Sequence, residues 1–193
     1  MNANLDVNAG PHIAVEAPCP GWRAALADCN ALCREAALAA LAAAPLEGGN
    51  SGIEIGIRLT DDGELRDLNR RYRSIDAPTN VLSFPMFECT PGADLAAPPD
   101  GPPLALGDVV LAFETVRGEA ASQGKTLADH LGHLVVHGVL HLLGYDHLDD
   151  IQAAAMEHLE AVILAGLGVD DPYEANSERQ AASCQAASCQ AAS

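Results

Sequence analysis

The sequence predicts an α+β fold: a single domain with a mixed sheet of about four strands covered by helices. Three observations lead there. Residues 53–59, Ile-Glu-Ile-Gly-Ile-Arg-Leu, alternate with period two, as a strand with one buried face does. Residues 127–143 read as a helix whose apolar positions are mostly Leu and Val and are interrupted chiefly by histidines, so the helix belongs in the core. Strand-like and helix-like segments follow one another without strict β-α alternation, which favours the α+β class.

Residues 12–17 form a short first strand between Pro11 and Pro18. A helix follows over 21–44, with Trp22, Leu26, Cys29, Cys33, Ala37 and Leu41 at helical spacing and Pro45 stopping it. The Gly-rich connection 46–52 leads into the strand 53–59. Asp61 or Asp62 is suited to cap a helix running to about Tyr72, with Leu65, Leu68 and Tyr72 on its inner face and Arg66 and Arg70 outward, where Glu64 and Asp67 can pair with them. Residues 73–79 read as a loop, and 81–84 as a strand ended by Pro85. A mobile Pro-rich loop is expected at 88–104, five of its prolines lying in 91–103. Residues 106–113 form the next strand and 114–123 a short helix ended by Gly124. Thr126 caps the histidine helix, with Asp129 at its third position. A last helix spans 151 to about 167, with Met156, Leu159 and Ile163 inward. The domain is thus expected to span 1–173. Beyond it, 174–193 repeats Gln-Ala-Ala-Ser-Cys, a pattern too short to build a core and read as a disordered tail.

The 193 residues are 49% hydrophobic but only 4% aromatic, enough for one mainly aliphatic core. No apolar run is long enough to cross a membrane, and the first residues lack a basic-then-apolar leader, so a cytoplasmic protein is expected. The six cysteines contain no Cys-x-x-Cys pair, and reduced, mostly structural thiols are the expectation. The formal charge is -17, which disfavours nucleic acid as an indiscriminate partner and argues against DNA binding. Five of the ten basic residues nevertheless cluster in 58–73: Arg58, Arg66, Arg70, Arg71 and Arg73.

The chemistry is concentrated at His137, His141 and His147, spaced H-x3-H-x5-H. Residues four apart share a helix face, so the first two rings can converge. Gly144 can adopt the left-handed conformation that ends a helix, and the turned chain then brings His147 back. Three neutral imidazoles with an open fourth position suit one catalytic zinc per chain. His133, one turn before His137, is the alternative third ligand. The spacing with Gly144 also matches H-E-x-x-H-x-x-G-x-x-H of the metzincin proteases, except that Gly138 stands where those enzymes carry their general-base Glu. Asp146, next to His147, is suited to accept a hydrogen bond from a ligand ring. Asp108 and Glu114 are further candidates for a general base.

The run His137-Gly-Val-Leu-His141-Leu-Leu-Gly144-Tyr-Asp-His147 resembles the signature of the YbeY family of bacterial endoribonucleases, the rRNA maturation factors. Residues 68–85, from Leu68-Asn69 through Arg73 to Asn80-Val81-Leu82-Ser83-Phe84-Pro85, are similar to its other long block. Leu106-Gly107-Asp108 resembles its next strand and Asp171-Pro172-Tyr173 its usual end. The resemblance covers about 53–173 and implies a zinc-dependent, single-strand-directed RNase in 16S rRNA 3′-end processing and ribosome quality control. It also implies that the three histidines hold the metal, that Arg73 is the functional arginine beside them, and that rRNA and the small ribosomal subunit or a ribosomal protein are the partners. Arg71 is a second candidate contact to substrate. Two other readings remain open: a non-catalytic ribosome-assembly factor with a structural metal, and a metzincin-like peptidase.

Overall fold

The computed structural model describes residues 10–44, 52–93 and 102–173. Four strands, β1 (His12–Glu16), β2 (Ile53–Thr60), β3 (Val81–Pro85) and β4 (Leu104–Ala112), form one sheet in the order β1-β2-β4-β3. β1 and β4 flank β2 in parallel, and β3 runs antiparallel to β4, which makes the sheet mixed as expected. The period-two reading of β2 holds, because Ile53, Ile55, Ile57 and Leu59 are all buried on one face. Against that face pack α2 (Cys29–Ala43), α5 (Leu127–Leu142) and, behind them, α6 (Asp150–Gly166), giving the main core. On the other face α3 (Asp62–Arg73) closes a smaller core of Leu65, Leu82, Val110 and Ala112. α4 (Phe113–Gln123) joins β4 to α5 and ends at Gly124 in the left-handed region. No helix among the described residues is long and apolar enough to cross a membrane. The tail 174–193 and residues 94–101 of the expected mobile loop lie outside the described residues. Cys19, Cys29, Cys33 and Cys89 are free thiols, and burial pushes the Cys33 thiol up to about 12, consistent with structural roles.

Three expectations need correction. The helix read over 21–44 is two helices, α1 (Pro20–Ala25) and α2, with Leu26 extended between them. Trp22 explains the break. Its indole N–H donates to the Thr60 carbonyl at 3.0 Å and its ring meets Phe113 edge-on, so α1 is held at the end of β2 while α2 lies along the sheet. Leu26 and Cys29 are three apart whether or not the helix is continuous, so the apolar pattern hides the interruption. Second, Tyr72 is 62% exposed, and the inner position of the last turns of α3 belongs to buried Asn69. Third, Arg66 pairs with Asp76 and not with its helix neighbours, while Glu64 is taken by Arg58. Smaller differences are that β4 starts two residues earlier than expected, at Leu104, and that α6 starts at Asp150 behind an Asp149 cap.

The caps hold as read. Asp61 accepts from the Glu64 N–H and Thr126 from the Asp129 N–H, both at 3.0 Å. At the far end of α3, Ser74 adopts φ 60° and turns the chain out of the helix directly after Arg73. Asn69 fixes that exit, its amide donating to the Ala77 carbonyl at 2.8 Å while its own carbonyl accepts from the loop. Asn69→Ala removes this bond and leaves the carbonyl of the exposed Ala77 to water. It is expected to destabilise the protein by about 1 kcal/mol, read as a lower urea midpoint at unchanged slope.

Candidate metal centre

Helix α5 can approach the sheet closely at one point. Gly138 is buried there, and a Cβ at this position would sit 2.6 Å from Val109 Cγ1 and 3.2 Å from Ser83 Oγ. The Ser83 hydroxyl donates to the Gly138 carbonyl at 3.1 Å, tying β3 to the helix. With this side of α5 against the sheet, His137 and His141 lie at the edge of the core, half-buried, opening onto a cleft of about 750 Å³. The helix then ends in a Schellman turn, with the Tyr145 N–H on the Leu140 carbonyl and the Gly144 N–H on His141. Gly144 sits at φ 85°, and a Cβ there would collide with the backbone of Cys89 and Thr90. The turn returns His147 to the other two rings, and one nitrogen from each of the three lies within 4.8 Å of the others.

The hydrogen bonds determine which nitrogens face one another. His137 Nδ1 is 2.7 Å from Glu160 Oε1, and His141 Nδ1 is 3.0 Å from the Tyr145 carbonyl. A carboxylate and a carbonyl only accept, so both imidazoles carry their proton on Nδ1 when neutral. Both Nε2 lone pairs therefore point at each other, 3.1 Å apart. Two lone pairs at that distance repel unless a cation lies between them. The distance is close to the roughly 3.3 Å edge of a tetrahedron with metal–nitrogen bonds of about 2.0–2.1 Å. Burial, followed by the His137 and His147 charges, lowers the His141 pKa and keeps that ring in the neutral form a metal requires. The donor set fits a single zinc-like ion, and the three histidines can hold it.

Glu160, on α6, is the residue that reading the sequence missed. It is fully buried and accepts from His137, while Tyr173 donates its hydroxyl to the other carboxylate oxygen. Burial alone would raise its pKa, but the His133 and His137 rings and the Tyr173 hydroxyl outweigh burial and hold the carboxyl at about 2. A signal for it existed. Met156, Glu160, Ile163 and Leu164 form one inner stripe on α6, and a carboxylate among apolar residues on a buried face needs a partner. Asp146, expected to support a ligand ring, accepts instead from the His147 backbone N–H at 2.8 Å and lies 3.6 Å from His147 Nδ1. His133 faces Glu160 Oε2 at 3.6 Å and is outside the three-nitrogen cluster.

The arginines separate clearly. Arg58 pairs with Glu16 and Glu64, Arg66 with Asp76, and Arg70 with Asp67. Arg71 lies over the Tyr72 ring, 5.9 Å from its centroid, and does not line the cleft. Arg73 lines the cleft with His137, His141 and His147 and has no ion-pair or hydrogen-bond partner among the described residues. Glu88 and Asp146 also line it. Asp108 instead lines a separate cleft on the opposite face of the sheet, and Glu114 accepts from the Asp62 N–H at the start of α3, so neither lies beside the histidines.

The family described as Endoribonuclease YbeY matches residues 26–168. The chain belongs to this family. It is 55% identical over 161 residues to the endoribonuclease YbeY of Paramagnetospirillum magneticum, covering 83% of this chain and 94% of that one. It is 51% identical over 158 residues to that of Azorhizobium caulinodans, covering 82% and 93%. The family match thus extends across α2, where the sequence carries no recognisable signature.

The packing at Gly138 also bears on the metzincin pattern. A glutamate there would point into Val109 and Ser83, not towards the histidines. Gly138→Glu is expected to destabilise the fold by roughly 3 kcal/mol or more through overpacking and an unpaired buried charge, and to give no peptidase activity. Thermal melts followed by circular dichroism, with a casein assay beside them, check this.

Proposed function

We propose that the chain is a zinc-dependent, single-strand-specific endoribonuclease acting in 16S rRNA 3′-end maturation and ribosome quality control in the cytoplasm. The observation that supports this best is the shared cleft: three imidazoles converging on one point beside a guanidinium with no partner among the described residues. Family membership supports the substrate class, since the named relatives are endoribonucleases. When bound, zinc supplies Lewis-acid polarisation and lowers the pKa of coordinated water. His137, His141 and His147 hold it. Arg73 orients the scissile phosphate through two parallel hydrogen bonds and stabilises charge developing on it. Arg71, outside the cleft, serves as a more distant contact to the same strand. The remaining surface is acidic, so we assign delivery of the rRNA to the small ribosomal subunit or one of its proteins.

Two experiments test the reading. The His137→Ala/His141→Ala double variant is expected to lose its zinc by elemental analysis, and a full equivalent of retained metal would place the ion elsewhere. Arg73→Glu is expected to keep fold and zinc while cutting single-stranded RNA cleavage on the order of a hundredfold. Arg66→Glu, which removes an exposed pair, should do far less. Equal losses would mean a diffuse basic patch. Full activity in both would remove Arg73 from the site, and a zinc-loaded wild type that cleaves no RNA would favour the assembly-factor reading with a structural metal.

A further inference from the structure

The sequence singles out Asp171-Pro172-Tyr173, which the cleft chemistry leaves without a task. The structure places Tyr173 against the back of the metal centre. The Asp171 carboxylate accepts from the Tyr173 N–H at 2.8 Å, forming a local turn, and the Tyr173 hydroxyl donates to Glu160 Oε2. The Tyr173 ring also meets His133 edge-on, with centroids 6.0 Å apart. Glu160 Oε1 in turn accepts a hydrogen bond from His137 Nδ1.

A fully buried carboxylate without a lysine or arginine partner is unfavourable, and the ion pairs described for Glu160 are to His133 and His137 alone. Its place in the core is explained if the imidazole it holds carries a cation on its far nitrogen. We propose that Glu160 is the positioning residue of the metal centre and that Tyr173 is a latch that aims it. Glu160 fixes His137 as the Nδ1–H tautomer and sets the ring's angle. Tyr173 occupies the second oxygen, so the carboxylate cannot rotate away from His137. The segment after α6 that carries Tyr173 is thereby part of the metal site, although it lies outside the cleft and touches no substrate. The inference rests on the reading that His137, His141 and His147 hold zinc.

The test uses the full chain, with Co²⁺ absorption and Zn²⁺ competition against a chelator as readouts. Glu160→Gln keeps an acceptor but removes the charge, and is expected to weaken zinc affinity about 10-fold. Glu160→Leu removes both, and about 100-fold is expected. Tyr173→Phe leaves the His137–Glu160 bond in place, so its loss should be smaller than that of Glu160→Gln. Long-range ¹⁵N–¹H correlations should show the Nδ1–H form of His137 in the wild type and a tautomer mixture in Glu160→Leu. A merely structural role would lower the metal-free melting temperature and leave zinc affinity and tautomer unchanged, which would overturn the proposal. Glu160→Gln and Tyr173→Phe decide the matter should Glu160→Leu not fold. If the wild type itself takes up no zinc, the metal reading fails first. If it does and all folded variants match it, only the positioning role fails.

Discussion

Helix α5 can lie against β3 and β4 because position 138 has no side chain. That contact sets the helix rotation, and the rotation sets everything the histidines do. With Gly138 on Val109 and Ser83, residues 137 and 141 cannot enter the sheet interface and are left at the edge of the core. There one side of each ring meets a fixed acceptor, Glu160 or the Tyr145 carbonyl, and the other faces the cleft. A glycine inside a helix costs about 1 kcal/mol relative to alanine. Here the cost is offset by a close approach that no larger residue permits.

Charge is distributed with the same economy. A chain of net charge -17 cannot attract a polyanion by its overall field. Three of the five clustered arginines are already paired with carboxylates, which neutralises them locally. Arg73, the last residue of α3, lies beyond the reach of that pattern, because the turn at Ser74 carries Asp76 back to Arg66 while Asp67 is taken by Arg70. That Arg73 has no partner among the described residues is therefore a product of backbone geometry. Moving the same residue one turn back along α3 would place it among Asp67 and Asp76.

How much of this was legible in the sequence follows from which forces act locally. Periodicity found β2, and capping residues found the starts of α3 and α5, because both signals are written within a few residues. The H-x3-H-x5-H spacing and Gly144 found the three histidines that converge for the same reason, the turn being determined by the glycine itself. The Leu26 break was hidden, since it arises from Trp22 meeting Thr60 and Phe113, residues 38 and 91 positions away. Tyr72 was read inward because an apolar ring at helical spacing normally is, and a buried asparagine in the same turns follows from a loop carbonyl that only the fold brings near. Glu160 needed two helices to be docked before its partner existed, though a charge on the inner stripe of α6 was the trace it left.

The remaining issue is whether such a site is closed or open. A structural zinc takes four protein ligands. Among the described residues three nitrogens converge and no fourth group joins them. The nearby candidates are committed elsewhere. The Asp146 carboxylate accepts from the His147 N–H, and the Cys89 thiol, in the cleft wall, is turned to the Thr90 carbonyl at 3.6 Å. His133 is held on the far side of His137, by Glu160 and Tyr173. What the three nitrogens face is the cleft, with the Arg73 guanidinium on its wall. On the function proposed above, a cleft that three imidazole nitrogens face and that carries an arginine with no partner among the described residues would suit a phosphodiester, one group polarising it and the other holding it in line.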